Sequence, residues 1–418
     1  KAIERRISHN ISLYDESDFP LNHIYVETVS FLSTDLIGES RWLNAIAVET
    51  NKKNIKEIEN FDFVKGVVPI VSEGVLCNFN PEINIDKILE ELSENNSSDI
   101  LTAQLKRMGG QAFIENNIDG KGIRIAILDG GFPNVDTHVA FKHLRENNQI
   151  IATYNFPKKR EDVYGWNSHG TSVLSCVAGI NEEGKKLGLA TGSEFLLART
   201  EIGLEPAKEE VWWIMGIEWA DKNGASVVNS SLGYGGDRHT TKCMDGKTAL
   251  VSRAANMAAA KGLLICNSMG NEGTKASWKT LIAPADADSV ISVGGISPFY
   301  GTRERRINFS SLGPTADGRL KPNVVAFGNA RVAQTEGFGR ASGTSFSSPL
   351  IAGFVACAWQ TNPNLKAMEL KEMIEKSGDN YPYFDYSIGY GVPQADFFLN
   401  KSKNIEPSFD FAEDDTHF

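Results

Sequence analysis

The chain has 418 residues, 41% of them hydrophobic, and a net charge of −11. The length suggests two domains and the composition a substantial core, which excludes global disorder. The acidic balance argues against nucleic acid as the main partner, because phosphate binding needs a basic face, and no apolar stretch reaches the roughly 18 residues of a membrane span.

Residues 1–72 read as a small α+β, ferredoxin-like unit. Residues 41–49 (RWLNAIAVE) alternate apolar and polar side chains as a strand does. Residues 51–61 place Ile55 and Ile58 at helical spacing, and residues 64–71 (VKGVVPIV) read as a second strand with Pro69 at an edge. Residues 73–100 turn polar and acidic and read as a linker, most exposed at residues 95–99 (NNSSD). From 101 to 398 short apolar runs alternate with helical ones. Residues 122–129, 225–230, 263–267 and 290–294 read as buried strands, and residues 169–179, 248–261 and 345–360 as helices. That alternation predicts a doubly wound, mostly parallel α/β sheet flanked by helices. The polar end, residues 399–418, is expected to fray.

Five cysteines lack any CxxC pair, so neither a zinc site nor a complete disulfide framework is expected. Cys176, Cys266 and Cys357 lie in apolar runs and read as core. Cys243 lies in a polar stretch and is the one to test for reactivity. The first residue is Lys1, with no signal-like segment after it. Either an export signal has been removed or the chain has been trimmed.

In open parallel sheets, reactive residues collect at the carboxyl ends of strands. Asp129 ends such a strand at LDGG, although alone it could cap a helix or hold a metal. His169, in NSHGTS, heads a helical run, where a capping or packed histidine is the simpler reading. Ser345, in GTSFSSP, precedes a long apolar helix and could be only a cap. The same place suits a nucleophile, because unpaired N–H groups there face a developing oxyanion. Pro349 is expected in the first turn, where a missing N–H costs little. Ser347 and Ser348 read as cap or packing residues. Asn271, in NSMGNEG, is either a turn residue or an amide donor to an oxyanion.

Taken together, the order Asp, His, Asn, Ser resembles the subtilisin-like (S8) serine peptidases. LDGG is similar to the family's Asp motif, SHGTSV to its His motif and GTSFSSPLIAG to its Ser motif. The likeness spans about residues 100–398. It implies a serine endopeptidase working through an acyl-enzyme, with Asp129, His169 and Ser345 as the triad. Asn271 and the Ser345 N–H then form the oxyanion hole. Ser231, Leu232 and Gly233 would pair with substrate backbone. Those three, with Ser268, Met269 and Gly270 and the stretch before Pro284, would border the primary pocket. Leu281, Ile282 and Met269 suggest that this pocket is apolar or modest in size. Ala283–Pro284 falls where the family often has a cis peptide bond.

Residues 1–72 resemble the propeptides of a Bacteroidetes-type S8 subgroup, through AIERR, SRWLNAIAVE and FVKGVVPI. DGKTALVSRA, residues 245–254, resembles the same subgroup. This implies a zymogen whose propeptide binds in cis and is cut within the linker, and a secreted, cell-surface or periplasmic enzyme acting on proteins or peptides. A permanently attached N-terminal domain is the competing organisation, and a catalytically silent peptide-binding protein the competing function. Two other classes are set aside: no G-x-S-x-G surrounds Ser345 and no G-x-G-x-x-G follows a strand.

Two departures from the pattern stand out. Ala140 falls where a calcium ligand is expected, so no calcium site is assigned and no cofactor is called for. Asp136, Asp286 and Asp288 read as solvated surface carboxylates, with cation binding as the other reading. Gly130 replaces the common Ser or Thr after Asp129, which alters a hydrogen bond behind the triad.

Overall fold

Residues 125–128 (IAIL) are all buried, as a strand covered on both faces requires. In the computed structural model, which describes residues 1–70, 97–203, 206–236, 238–297 and 305–399, this strand, Arg124–Asp129, lies inside a sheet of seven parallel strands. The spatial order is Val324–Phe327, Ile291–Ser297, Leu264–Ser268, Val227–Ser230, Arg124–Asp129, Glu194–Arg199 and Ile150–Asn155. An eighth, two-residue strand, Arg305–Arg306, pairs antiparallel with Ile291–Ser297.

Strand alternation sorts side chains to two faces. Ile125, Ile127, Phe195 and Leu197 face the helices His169–Ala178 and Thr344–Thr361. Ala126, Leu128, Leu196 and Ala198 face the helices Lys208–Lys222 and Leu250–Ala260. By the same alternation Asp129 and Arg199, which are register partners, share the first face. After Glu194–Arg199 the chain crosses to Val227–Ser230 on the other side of Arg124–Asp129. That crossing is a topological switch point, where the carboxyl ends of strands leave a crevice.

The N-terminal unit holds the helices Ala2–Ser8, His23–Phe31 and Lys52–Glu59 and an antiparallel hairpin of Asp35–Ser40 and Ala45–Glu49. Asn51 caps the third helix, its side chain accepting from the N–H groups of Lys53 and Asn54. The hairpin rests on helix Lys208–Lys222. A Cβ at Gly38 would collide with the Met215 sulfur, Ser40 donates to Glu218, and Arg41 pairs with Glu218 at 3.5 Å. The first helix packs at the amino ends of the central strands. Arg5 is buried and binds Asp221, the Ala225 carbonyl and, at 3.1 Å, the Lys261 carbonyl. It thereby places a cation at two helix C-termini. Arg6 bridges Asp18 at 2.6 Å and Asp221 at 3.3 Å, and Lys261 reaches Asp15 at 2.9 Å.

Several expected boundaries move. Residues 41–44 form the hairpin turn, and the partner strand Asp35–Ser40 was not expected. Among the described residues, 64–70 pair with no strand, so the expected second strand over 64–71 is not formed there. Most of the expected linker lies outside the described residues, but its last four residues begin the helix Ser97–Lys106. Cys77 and the tail from residue 400 also lie outside them. The buried helix Lys208–Lys222 escaped pattern reading because buried Glu209, Glu210, Glu218 and Asp221 interrupt its apolar face. Cys176, Cys266 and Cys357 are buried thiols, and burial raises their pKa values. Cys243 is half-buried.

Candidate active site

Asp129 is fully buried at the end of its strand. Its Oδ1 accepts from the Gly130 N–H at 2.7 Å and faces His169 Nδ1 at 2.8 Å. Its Oδ2 is buried with no hydrogen-bond partner among the described residues. A Ser or Thr hydroxyl at position 130 could reach that oxygen; Gly130 has none, as the sequence implied.

His169 opens the helix His169–Ala178, and its N–H donates to Asn167 Oδ1 at 2.8 Å. Gly170 allows the helix to press on the strand end, for a Cβ there would lie 3.0 Å from Asp129 Cβ. The imidazole packs against Phe346 at 5.6 Å between ring centres. Burial disfavours the imidazolium, but the Asp129 charge and hydrogen bond outweigh it, and the His169 pKa is raised.

Ser345 is the second residue of helix Thr344–Thr361 and 7% exposed. Its Oγ donates to the Ser231 carbonyl at 3.3 Å, and the Ser231 hydroxyl donates to the Ser345 carbonyl at 2.8 Å. Pro349 lies inside this helix rather than in its first turn. It has no N–H for the carbonyl four residues back, and that carbonyl belongs to Ser345. Ser231 therefore supplies the missing donor. Ser348 donates to Asn229 Oδ1 at 2.9 Å, and Asn229 Nδ2 donates to Ser231 Oγ at 3.1 Å. Ser347 donates to the Phe327 carbonyl. Both serines are internal struts, not caps.

Asn271 is exposed beyond strand Leu264–Ser268. Its Oδ1 accepts from the Thr344 N–H and hydroxyl, both at 2.9 Å, which leaves Nδ2 as the outward donor. Nδ2 and the Ser345 N–H converge on Gly343, lying 3.6 and 3.7 Å from where a Cβ would stand. Gly343 has φ +149° and ψ 154°, a region essentially closed to other residues. Two N–H donors, a hydroxyl, and an imidazole held by a carboxylate are the groups that acyl transfer requires.

The expected pocket residues separate. Ser231 and Leu232 follow strand Val227–Ser230, and the Leu232 carbonyl accepts from Asn267 Nδ2 at 3.0 Å. Ser268 is buried, and Met269 and Leu281 are fully buried in a small core with Ala285, so neither Met269 nor Leu281 lines a pocket. Ile282 instead stands between Gly233 and Gly270, touching the place of a Cβ at each. Ala283–Pro284 is cis. Asp286 is buried, accepting from Ser252 and from Gly246 N–H, and is not a surface carboxylate; Asp136 and Asp288 are exposed.

One cluster was missed. Glu201 accepts from Tyr234 OH at 2.9 Å, Glu209 pairs with Arg238 at 2.7 Å, and the two carboxyls lie together. Burial and mutual repulsion raise the Glu201 pKa well above the usual range, and burial raises that of Glu209. The four residues are scattered over residues 201–238, and no motif announces them.

Residues 120–391 match the family described as Peptidase_S8, subtilase family, and residues 1–79 match the Peptidase S8 propeptide domain of Bacteroidota. Subtilisin NAT from Bacillus subtilis subsp. natto is 23% identical over 363 residues, covering 85% of this chain and 87% of its own. Subtilisin DY from Bacillus licheniformis is 28% identical over 261 residues, covering 62% and 85%. The fold is similar to a cold adapted subtilisin-like serine proteinase (TM-score 0.52, 23% identity, 66% of this chain and 90% of the other). It is also similar to the structure titled S41 Psychrophilic Protease (TM-score 0.54, 21% identity, 66% and 92%).

Proposed function

We propose, on the premise that this chain belongs to the subtilase family of serine peptidases and carries an N-terminal propeptide domain, that it is an exported endopeptidase made as a zymogen. Ser345 attacks the scissile carbonyl. His169 accepts its proton and returns it to the leaving amine. Asp129 fixes the imidazole and stabilises its charged form. Asn271 Nδ2 and the Ser345 N–H receive the oxyanion. Ser231, Leu232 and Gly233 add a strand to the substrate backbone.

The observation that carries this reading is the 2.8 Å contact of His169 Nδ1 with Asp129 Oδ1, on the sheet face and edge to which helix Thr344–Thr361 brings Ser345. Fluorophosphonate labelling of the chain and of Ser345→Ala, each before and after removal of residues 1–100, tests it. Labelling is expected only with Ser345 present, and labelling that survives Ser345→Ala refutes the nucleophile.

Inhibition by residues 1–72 is supported by the match of the N-terminal unit to a propeptide domain, and its attachment to the catalytic part by the buried ion pairs that seat it, above all Arg5 on Asp221. The zymogen matures by a cut between about residues 72 and 101. Incubation followed by N-terminal sequencing checks this, and full activity of an uncut chain sinks it. Export agrees with the secreted character of subtilisins. No helix of the described residues is long and apolar enough to cross a membrane. Fractionation of producing cells checks export, and recovery of the mature enzyme only from cytoplasm contradicts it.

A further inference from the structure

Trp166 lies three residues before His169 and is 49% exposed. Its φ is +75°, a conformation that a bulky residue adopts only under constraint. The indole is held in place from below. It lies 3.2 Å from the place of a Cβ on Gly130, the residue after Asp129, and 3.3 Å from that on Gly203. The Arg199 guanidinium lies over its ring at 4.6 Å. A constrained, half-exposed indole beside the reacting groups is a binding surface more readily than a packing element.

Arg199 is unusual in its partners. It is the register partner of Asp129 and points to the same face. Its Nε donates to the Glu201 carbonyl at 3.3 Å. Among the described residues no carboxylate lies within ion-pair distance of it, and its terminal nitrogens, which have no protein acceptor, reach the surface. The nearby Asp162 is taken by Arg160 at 2.9 Å. An arginine only 8% exposed, without an acidic partner, costs stability unless something else is gained.

A separate cleft, lined by neither Arg199 nor Trp166, is also basic. Lys158, Lys159 and Lys208 line this cleft of about 350 Å³ with Ile202, Trp212 and Asp35 of the N-terminal unit. There Lys159 donates to the Leu36 carbonyl at 3.2 Å and Lys208 faces Glu49 at 3.6 Å. The N-terminal unit thus supplies acceptors to a basic rim of the catalytic part. The stretch 73–100, where the maturation cut is proposed, has seven Asp and Glu residues and one Lys.

We propose that Arg199 and Trp166 form a substrate subsite that accepts an acidic side chain close to the scissile bond. The carboxylate pairs with the guanidinium, and the aliphatic stem lies on the indole. The inference rests on the peptidase reading above and adds its substrate class. In this chain the lysine rim is engaged by the N-terminal unit, and cutting the linker opens it to acidic substrates.

The test is a positional scan of fluorogenic peptides with Glu, Gln, Leu or Lys at each position flanking the scissile bond. It uses the full chain after its own maturation, with rates expressed per fluorophosphonate-labelled site. At one position Glu is expected to exceed Gln by about tenfold in kcat/KM, the worth of one charge-assisted hydrogen bond. Added salt should shrink that ratio. Arg199→Gln should bring the ratio to near one, Arg199→Lys should retain part of it, and Arg199→Glu should turn the preference toward Lys. Trp166→Ala, a change of a half-exposed side chain, should raise KM for the Glu peptide more than for the Leu peptide. Labelling and cleavage without a Glu preference, or with one that survives Arg199→Gln, overturn this inference alone. Absence of both labelling and cleavage overturns it together with the peptidase reading.

Discussion

Ser231 and Ser345 exchange two hydrogen bonds, hydroxyl to carbonyl in each direction, at 2.8 and 3.3 Å. The shorter of the two fills the place of the N–H that Pro349 lacks for the Ser345 carbonyl. It ties the segment proposed to bind substrate backbone to the proposed nucleophile. Asn229 and Ser348 hold the Ser231 hydroxyl in turn, so three buried side chains fix one carbonyl.

Removing the Ser231 hydroxyl should therefore do two things. Ser231→Ala leaves the Ser345 carbonyl and Asn229 Nδ2 buried without partners, at a cost of about 1–3 kcal/mol. It should also slow labelling of Ser345, because the turn that carries it loses its anchor. Thermal unfolding and labelling rate measure the two effects. Ser231→Thr, which keeps a hydroxyl, should restore much of both. Unchanged stability and labelling in Ser231→Ala would remove the anchoring role.

On the proposed mechanism, the His169–Asp129 contact should set the acid limb of the activity profile. An imidazolium cannot take the Ser345 proton, so labelling and hydrolysis should rise as His169 loses its proton. Since the Asp129 charge and hydrogen bond raise the His169 pKa above 6.5, the midpoint should lie above that value. Asp129→Asn removes the charge, so the midpoint should fall and kcat should drop by about 10⁴. A midpoint that does not move in the variant would mean that Asp129 does not govern His169.

The Glu201–Glu209 pair predicts a stability that declines with pH. Both folded pKa values are raised above the ordinary 4.5. Between that value and the raised ones, the folded state holds protons that the unfolded state has released. Stability is thus complete below about pH 4.5 and is lost as pH rises through the folded values. For one shared proton the slope is at most about 1.4 kcal/mol per pH unit. Glu201→Gln can still accept from Tyr234 and cannot ionise, so it should flatten the decline. Denaturant midpoints across pH for both proteins decide the matter, and parallel curves count against it.

The strands and helices nearest the site were legible because their residues obey one pattern each. Residues 125–128 are apolar without interruption, Asp129 and Asn271 follow the ends of such strands, and His169 and Ser345 sit where apolar helices begin. Illegible were features made by contact between distant segments. Glu209 and Asp221 look like surface charges until Arg238, Arg5 and Arg6 are folded against them. Strand Asp35–Ser40 contains Gly38 and two acids, a poor strand sequence, and is secured by its pairing and by Met215. Met269 and Leu281 were assigned to the pocket from their position beside it, and only packing reveals that both turn inward.

Ile282 is the residue best placed to shape the proposed primary pocket. Its side chain fills the space between Gly233 and Gly270, the two segments expected to form the pocket walls. Neither glycine could carry a Cβ without moving it. A pocket with this floor should favour small side chains at the attacked residue. Ile282→Gly removes four carbons, each worth about 0.8 kcal/mol of apolar burial, and opens the floor to a large substrate side chain. Preference in kcat/KM for Phe or Leu over Ala should rise by about 10–200-fold. Peptides differing only at that residue measure the change. If the variant keeps the wild-type order while labelling normally, Ile282 is not the floor of the pocket and the two glycines do not form its walls.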